Sequence, residues 1–324
     1  MRASAVAQPN IALIKYWGKQ EVAGNVPAVG SLSITLDSLQ TRMTVEFDDG
    51  IDADSLLLNR EPAERMLPRV SRCLDNLLGS NRSPAIIESS CNFPIAAGLA
   101  SSASSFAALV VAASRAAGLQ TDTLSLARAA GQASGSAARS LYGGFVELQL
   151  IEDKQAPDIA VASILEASEW PMQVIVAITA KGEKPISSGD AMNLSSKTSP
   201  FYASWLEHQG HDLVVARSAV ADRNFSALAA ISEHNCLKMH SVMWASRPPV
   251  VYWNKATLAC METVRKLQAD GVPVFFTIDA GPQVKAVCLP KSAERVSKAM
   301  QETDGVIDTM ESSLGGGARL LNNP

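Results

Sequence analysis

Four short segments contain residues whose types and spacing could do chemistry. The first is PIAAGLASSAS (94–104), in which Gly98 permits a tight turn and Ser101 and Ser102 fall where a helix begins. There, unpaired N–H groups, the positive end of the helix dipole and two hydroxyls converge, and such an arrangement binds anions. The segment matches neither a Walker A motif nor a dinucleotide fingerprint. Serine is also an ordinary N-cap, so phosphate binding and the capping of a core helix explain this segment equally well.

The second segment, NIALIKYWGKQ, places Lys15 and Lys19 four residues apart behind an apolar, strand-like run. Lysines beside a pocket can neutralise a phosphate or a carboxylate. Taken alone, the spacing fits a pair of solvated surface lysines better, because charged side chains are mostly exposed. The neighbouring Tyr16 and Trp17 argue against a wholly exposed loop.

The third segment, ASGSAARSLYGG, brings Ser134, Ser136 and Arg139 together on a stretch with almost no side-chain bulk. A guanidinium beside two hydroxyls suits a carboxylate or a phosphate. The alternative is an arginine that caps the carboxyl end of a helix. We favour an anion site, because the residues around Arg139 have small side chains that leave the backbone accessible.

The fourth segment, FFTIDAGPQ, ends an apolar strand at Asp279, beside a Gly-Pro turn. A carboxylate there could face a cleft and orient a hydroxyl, act as a base or hold a metal ion. An Asp that bonds its own turn backbone is an equally good explanation. The histidines add little: His234 and His240 fit an apolar helix, and His208 and His211 are predicted to be exposed.

Hydrophobic periodicity predicts the elements that must position these residues. In the first half we expect strands at 31–36 and 42–47 joined as a hairpin by DSLQT, an edge strand near Leu57, a helix that starts or kinks at Pro68, a strand at 85–92, helices at 101–118 and 123–132, and a strand at 145–151. In the second half we expect a strand at 172–179, helices at 200–221, 225–246, 255–268 and 293–301, and two strands joined by the turn at Asp279. Because strands and helices do not alternate strictly, the pattern predicts an α+β fold, with domains at 1–170 and 171–324.

Composition limits the classes of function. The 324 residues carry a formal net charge of −4 and are 47% apolar, which argues against a general nucleic-acid binder or a membrane-surface protein. The Ala-rich stretch at 97–119 is the one membrane candidate, but it contains Arg115 and five serines. Five scattered cysteines without a CxxC pair indicate reduced thiols and argue against a zinc site, and we expect a cytoplasmic protein.

The motifs together resemble those of a known family. PxxxGLxSSAS (94–104) is similar to the phosphate loop of the GHMP kinases. NIALIKYWGK, SGSAARSLYGGFVE and DAGP resemble the mevalonate diphosphate decarboxylases within that superfamily, and SLSITL and KMHSVMWASRPPVVYW follow in the expected order. The resemblance spans nearly the whole chain, and the motifs are far more specific jointly than singly.

The resemblance implies a fold, a reaction and a set of site residues. The implied fold is a two-domain α+β GHMP-kinase-like fold, with a ribosomal-protein-S5-like N-terminal domain and a ferredoxin-like C-terminal domain. The implied reaction is the ATP-dependent decarboxylation of 5-diphosphomevalonate to isopentenyl diphosphate. The implied catalytic residues are Asp279 on the 3-hydroxyl, Arg139 on the carboxylate and Lys15 between them. Other implied substrate contacts are Tyr16, Lys19, Ser134, Ser136 and Ser188; the implied ATP contacts are Gly98, Leu99, Ala100, Ser101, Ser102 and Ala103, with Ser101 and Ser102 also at the magnesium ion.

The resemblance also has departures and rivals. A Gly-Met pair is more usual in the family where Ala191 and Met192 stand. Bacterial members often carry an Arg at the position of Gly189, where it meets the substrate's phosphates. A mevalonate 3-kinase or a decarboxylase of the monophosphate would share this fold, and a non-catalytic nucleotide-binding protein is a more distant alternative. The presence of Asp279, Lys15 and Arg139 favours catalysis with decarboxylation. The resemblance further implies a homodimer.

Overall fold

The computed structural model of the protein describes residues 1–20, 25–93, 101–151, 158–182 and 184–322. Within these ranges the strands form three sheets, and the helices follow runs of strands rather than each strand in turn. All the described strand pairings but one are antiparallel. The predicted α+β class is therefore confirmed. No helix in the described ranges is long and apolar enough to cross a membrane.

The strands divide into one six-stranded and two four-stranded sheets. They are β1 (Arg2–Ala7), β2 (Asn10–Ile14), β3 (Ser31–Thr35), β4 (Thr41–Phe47), β5 (Ser55–Leu58), β6 (Glu61–Pro62), β7 (Ala85–Cys91), β8 (Phe145–Ile151), β9 (Asp158–Leu165), β10 (Gln173–Ile178), β11 (Val274–Ile278), β12 (Val284–Cys288), β13 (Asp308–Ser313) and β14 (Arg319–Leu320). The orders are β14-β1-β4-β7-β5-β6, β2-β3-β8-β9 and β11-β12-β10-β13. The chain returns at its end to the first sheet, where Leu320 pairs with Ala5. The domain boundary at residue 170 stays a prediction.

Several of the helices begin at start signals that the sequence supplies. They are α1 (Leu67–Leu78), α2 (Ser101–Ala116), α3 (Thr123–Ala133), α4 (Ser188–Thr198), α5 (Tyr202–Ala221), α6 (Phe225–Trp244), α7 (Lys255–Ala269) and α8 (Ala293–Gln301), with a 3₁₀ turn at Ala137–Leu141. Pro68 occupies the first turn of α1, and the Asp122 carboxylate accepts a hydrogen bond from the Ser125 N–H to cap α3. Helix α4 was not predicted, because its small polar side chains form no apolar stripe.

Helix α2 is packed into the protein on nearly every side. The expected stripe is buried at Ala103, Ala107, Val110 and Ser114, whereas Val111 is partly exposed. The helix lies across β1 and β4, where alanines at alternate positions of β1 allow close approach. This packing fixes the amino end of α2, which carries the serine pair.

Two expectations about strand pairing were wrong. Strands β3 and β4 do not form a hairpin, because β3 pairs with β2 and β8 while β4 pairs with β1 and β7. The intervening residues cross between sheets, and both Leu36 and Leu39 are buried instead of lying in a solvent-exposed turn. Strand β5 is next to the edge rather than at it, because the two-residue β6 pairs with it.

The hairpin of β11 and β12 is confirmed and places Asp279 at a sheet end. The two strands are antiparallel, with Ile278 opposite Val284. The Gly281 N–H donates to the Asp279 carbonyl at 2.7 Å, which closes the turn. The Asp279 side chain therefore projects beyond the strands.

Candidate active site

A cavity of about 860 Å³ collects residues from both halves of the chain. Ten of the predicted site residues line it, namely Lys15, Tyr16, Lys19, Ser101, Ser102, Ser134, Ser136, Arg139, Ser188 and Asp279. Ala103 does not line it, because its side chain is buried in the core. Gly98, Leu99 and Ala100 lie outside the described residues.

Lys15 and Asp279 form a buried ion pair at one wall of this cavity. Lys15 follows the end of β2, Asp279 follows the end of β11, and their Nζ and Oδ1 atoms are 2.7 Å apart. The Lys15 side chain is 1% exposed and that of Asp279 is 24% exposed. A solvated surface lysine is thus the wrong explanation for Lys15, whereas the carboxylate keeps contact with the cavity.

A second buried lysine approaches the same carboxylate, and sequence reasoning missed it. Lys285 lies on β12, and its Nζ is 3.2 Å from Asp279 Oδ2. Its side chain is also 1% exposed. The signal was present in the sequence: a single lysine in the apolar strand VKAVC needs a buried partner, because lysine is almost never fully buried unpaired.

The two ammonium groups determine the protonation state of Asp279. Burial acts to raise the pKa of the Asp279 carboxyl, but the charges of Lys15 and Lys285 outweigh it and hold the pKa well below its usual range. Burial lowers the pKa of Lys285, and the Asp279 carboxylate partly restores it. Asp279 is therefore an ionised hydrogen-bond acceptor at neutral pH.

Arg139 is held by neutral side chains and not by a carboxylate among the described residues. Its Nε donates to Ser33 Oγ at 3.1 Å, Nη1 to Ser31 Oγ at 2.6 Å and Nη2 to Asn10 Oδ1 at 3.2 Å. These contacts lie on β2 and β3, so the alternative of a helix-capping arginine is wrong. Burial lowers the pKa of Arg139 to about 10, which still leaves a cation at neutral pH. Asn10 is a further functional residue that the sequence reasoning missed.

The Arg139 guanidinium keeps free donor capacity for an anion. A guanidinium has five N–H groups: one on Nε and two on each terminal nitrogen. The three hydrogen bonds to described residues use one N–H on each nitrogen, and within that part of the chain one N–H on Nη1 and one on Nη2 have no partner. Two N–H groups on neighbouring nitrogens match the two oxygens of a carboxylate.

Tyr16 and the serine segment lie in close contact. A Cβ atom at Gly135 would be 2.7 Å from Tyr16 Cε1 and Oη, so glycine is required for this approach. Ser134 Oγ is 3.2 Å from Ser102 Oγ, which joins the serine segment to the start of α2. Burial raises the pKa of Tyr16 to about 12, and its buried hydroxyl has no hydrogen-bond partner among the described residues. The phenol is thus a neutral donor in the lining of the cavity.

Two more lysines reach the cavity near the start of α4. Lys184 Nζ donates to Ser188 Oγ at 2.8 Å and to the Ala280 carbonyl at 2.9 Å. Burial, aided by the charge of Lys285, lowers the pKa of Lys184 to about 8. A Cβ atom at Gly189 would lie 4.0 Å from Lys19 Nζ, which places Lys19 beside the glycine where an arginine was expected. This part of the cavity is suited to phosphate groups.

The remaining lining comes mainly from α1, α2 and the first sheet. Apolar side chains such as Leu56 and Phe106 contribute to it, together with Arg69, whose guanidinium lies 4.7 Å from the Phe106 ring centroid. Such mixed apolar and basic surface can hold a nucleotide. Within the described ranges, no group of three or more His, Cys, Asp or Glu side chains could hold a metal ion.

Comparison with known proteins agrees with this geometry. A model described as the diphosphomevalonate decarboxylase-like N-terminal domain matches residues 7–158, and the mevalonate 5-diphosphate decarboxylase C-terminal domain matches residues 174–318. The chain belongs to the diphosphomevalonate decarboxylase family. The diphosphomevalonate decarboxylase mvd1 of Aspergillus fumigatus is 35% identical over 318 residues, which cover 91% of this chain and 79% of the relative.

Solved structures of this family share the fold. The mevalonate diphosphate decarboxylase of Staphylococcus aureus superposes with a TM-score of 0.91 at 33% identity, covering 99% of this chain and 98% of that one. A structure of MDDEF in complex with MVAPP, AMPPCP and magnesium gives a TM-score of 0.90 at 34% identity, with 99% of each chain covered. The predicted two-domain GHMP-kinase-like fold is confirmed.

Proposed function

We propose that this chain catalyses the ATP-dependent decarboxylation of 5-diphosphomevalonate to isopentenyl diphosphate, with release of ADP, phosphate and CO₂. The observation that carries the proposal is the Asp279 carboxylate, held between Lys15 and Lys285 in the cavity that also receives Arg139. Family membership and the ligands of the MDDEF complex support the same substrate pair.

Asp279 orients the tertiary 3-hydroxyl of the substrate for phosphorylation. Its ionised oxygens accept the hydroxyl hydrogen bond, and the fixed lysines keep them in place. A carboxylate with so low a pKa is a weak base, so it does not deprotonate the alcohol beforehand. The hydroxyl becomes strongly acidic only as its oxygen bonds to phosphorus, and at that stage a weak base suffices to take the proton.

Arg139 holds the substrate carboxylate during the second step. The C3–O bond breaks, and its electron pair leaves with the phosphate. The electron pair of the bond between the carboxyl carbon and C2 becomes the C2–C3 double bond, and CO₂ departs. The two remaining N–H groups of Arg139 align the carboxylate, and the negative charge of Asp279 would stabilise the positive charge that develops at C3.

The donor set fits ATP that carries its own magnesium ion. The described residues hold no carboxylate cluster for a resident metal, and Ser101 and Ser102 stand at the amino end of α2. We propose that these hydroxyls and Lys184 bind the nucleotide phosphates, and that Ser101 and Ser102 also reach the magnesium ion. Magnesium, when bound, would screen the phosphate charge. Gly98, Leu99, Ala100 and the backbone of Ala103 complete the proposed ATP contacts.

The remaining substrate contacts follow the cations of the cavity. We propose that Tyr16, Lys19, Ser134 and Ser136 bind the diphosphate, with Ser188 at its edge. Support comes from the Tyr16 hydroxyl, which has no hydrogen-bond partner in the described part of the chain, and from the position of Lys19 beside Gly189. The homodimer implied by the resemblance and the cytoplasmic location expected from composition stay predictions, and light scattering of the purified protein would test the first.

The proposal is tested by measuring both products in one assay. Purified protein is given ATP, magnesium and 5-diphosphomevalonate, and the releases of ADP and CO₂ are followed together. Equal amounts establish the decarboxylase. ADP without CO₂ would identify a 3-kinase instead. If neither appears, the same assay with the monophosphate tests whether Gly189 has changed the phosphate requirement.

A further inference from the structure

The backbone N–H and carbonyl of Lys15 lie outside the strand pairing, but both are hydrogen-bonded. The pairing of β2 with β3 shifts between Ala12 and Ile14, and the strand ends there. The Lys15 N–H donates to Asn235 Oδ1 at 2.7 Å, and its carbonyl accepts from Gln209 Nε2 at 2.6 Å. Two side chains from α5 and α6 thus replace the backbone partners that a buried peptide requires.

These two amides belong to a network whose members are buried, apart from the half-buried Lys238. Asn235 Nδ2 donates to Gln209 Oε1 at 2.9 Å and to Asp212 Oδ2 at 2.7 Å, and Lys238 Nζ donates to the same Asp212 oxygen at 2.7 Å. Gln209, Asn235 and Asp212 are at most 4% exposed. Turning either amide over would set oxygen against oxygen, so the network fixes both orientations.

Helix α6 also holds the backbone next to Asp279, the other member of the ion pair. Cys236, next to Asn235, accepts a hydrogen bond on Sγ from the Ile278 N–H at 3.2 Å and donates its thiol to the Ile278 carbonyl at 3.5 Å. Ile278 immediately precedes Asp279. Adjacent residues of one helix therefore hold the backbone beneath both Lys15 and Asp279.

We propose that Gln209, Asn235 and Cys236 are positioning residues that set the ammonium of Lys15 against the carboxylate of Asp279. The inference rests on the proposed function, because it assigns these residues to the phosphorylation step. None of the three lines the cavity, so they act through the two residues they hold. We call Gln209, Asn235 and Cys236 the frame. A displacement of about 1 Å at a reacting group can lower the rate about 100-fold, so a small shift of this frame should produce a measurable decrease in kcat.

Gln209→Glu tests one half of the frame with almost no change in shape. A neutral Glu can donate a hydroxyl to the Lys15 carbonyl, whereas an ionised Glu sets a charged oxygen against it. Burial and the nearby Asp212 raise the pKa of the new carboxyl, and Lys238 opposes them. We expect the ratio of variant to wild-type kcat to fall at least about tenfold as the pH rises, with KM for ATP within about threefold.

Arg217→Met is the matched control for a purely structural effect. Arg217 also lies on α5, and its Nε is 3.1 Å from both carboxylate oxygens of the buried Glu147 on β8. This variant loses an ion pair between the same helix and the N-terminal half without touching Lys15. It should lower the melting temperature and leave kcat and its pH profile unchanged.

Cys236 provides a second test that does not depend on a new charge. Cys236→Ala leaves the Ile278 N–H without its acceptor, and we expect kcat to fall about tenfold, whereas Cys236→Ser should recover most of it because a hydroxyl can replace both hydrogen bonds. A Gln209→Glu profile parallel to wild type, or equal kcat in the Ala and Ser variants, overturns the inference.

The positioning inference and the proposed function can fail independently of each other. If wild type releases CO₂ and the variants behave like the control, only the positioning inference fails. If wild type releases ADP without CO₂, the same ratios are read on ADP, because phosphorylation is the step assigned to this frame. If wild type releases neither, both proposals fail.

Discussion

Replacing Lys285 tests whether a second cation sets the state of Asp279. Lys285→Met removes one of two ammonium groups and keeps a side chain of similar length in the same buried position. Lys15 remains 2.7 Å from the carboxylate. The pKa of Asp279 should therefore rise towards its ordinary range without reaching the value of an unpaired buried carboxyl.

The size of the effect follows from the distance between the charges. Two unit charges 3.2 Å apart attract by about 5 kcal/mol at an effective dielectric constant of about 20, equivalent to nearly 4 pKa units. The Asp279 side chain is 24% exposed to the cavity, so solvent screens part of this attraction. We expect a rise of about 1–3 pKa units, the range for a carboxyl that loses one opposite charge at contact distance.

The assay is the dependence of kcat on pH at saturating substrate and magnesium ATP. In Lys285→Met, the decrease of kcat on the acid side of the profile (the acid limb) should occur at a higher pH, because the carboxylate protonates at a higher pH. Lys285→Arg keeps the charge and should leave the limb close to its wild-type position. If Lys285→Met retains the wild-type acid limb, Lys285 does not control Asp279 and the electrostatic reasoning is refuted.

The same substitution has a consequence for acid stability. A carboxyl whose folded-state pKa is below its unfolded value adds stability above the unfolded pKa, and that stability is lost as the pH falls through the folded pKa. Raising the folded pKa of Asp279 makes this contribution smaller and narrows the pH range over which it is lost, because the loss still begins at the unfolded pKa and ends at a higher pH. Thermal melting between about pH 3 and pH 7 should therefore show a smaller acid-induced loss of melting temperature in Lys285→Met than in wild type.

Three further predictions concern the walls of the cavity. Ser102→Ala should raise KM for ATP about tenfold without lowering the melting temperature, and unchanged ATP kinetics would remove this serine from the nucleotide site. Gly135→Ala should raise KM for the substrate about tenfold, because the new methyl group would lie 2.7 Å from Tyr16 and displace it. Gly189→Arg should lower KM for the diphosphate substrate, because a second cation would join Lys19; an unchanged KM would show that the missing arginine has been replaced elsewhere.

The four chemical motifs were predictable because each is local in sequence. Ser134, Ser136 and Arg139 lie within six residues, from the end of α3 into the following 3₁₀ turn. Asp279 lies in the turn of a hairpin whose apolar strands and Gly-Pro pair are plain in the sequence. The joining of Lys15 to Asp279, 264 positions apart, was expected from the resemblance and not from either segment alone. The structure adds the distance and the burial that make the pair an electrostatic unit.

The errors and omissions have a different physical origin. The 31–36 and 42–47 strands look like a hairpin by length and alternation, but the connecting leucines are buried and carry the chain into another sheet. Helix α4 was missed for lack of an apolar stripe. Gln209 and Asn235 were missed because a polar residue in an amphipathic helix is normally solvated, and only tertiary packing shows that they are buried.

The charges of the cavity explain why such a buried network is required. Among the described lining residues Asp279 is the one carboxylate, whereas Lys15, Lys285, Arg139 and Lys184 lie near it, so these cations outnumber the anion until polyanionic ligands enter. Repulsion between these cationic side chains would move them apart if the backbone that carries them were mobile. Lys285 is fixed in β12 and Arg139 is held by three hydrogen bonds, but Lys15 lies just beyond the end of a strand. Beyond the end of the strand, the side-chain amides of Gln209 on α5 and Asn235 on α6 hold the Lys15 backbone in place of the sheet. The cation cluster therefore depends on these uncharged side chains to keep Lys15 in position.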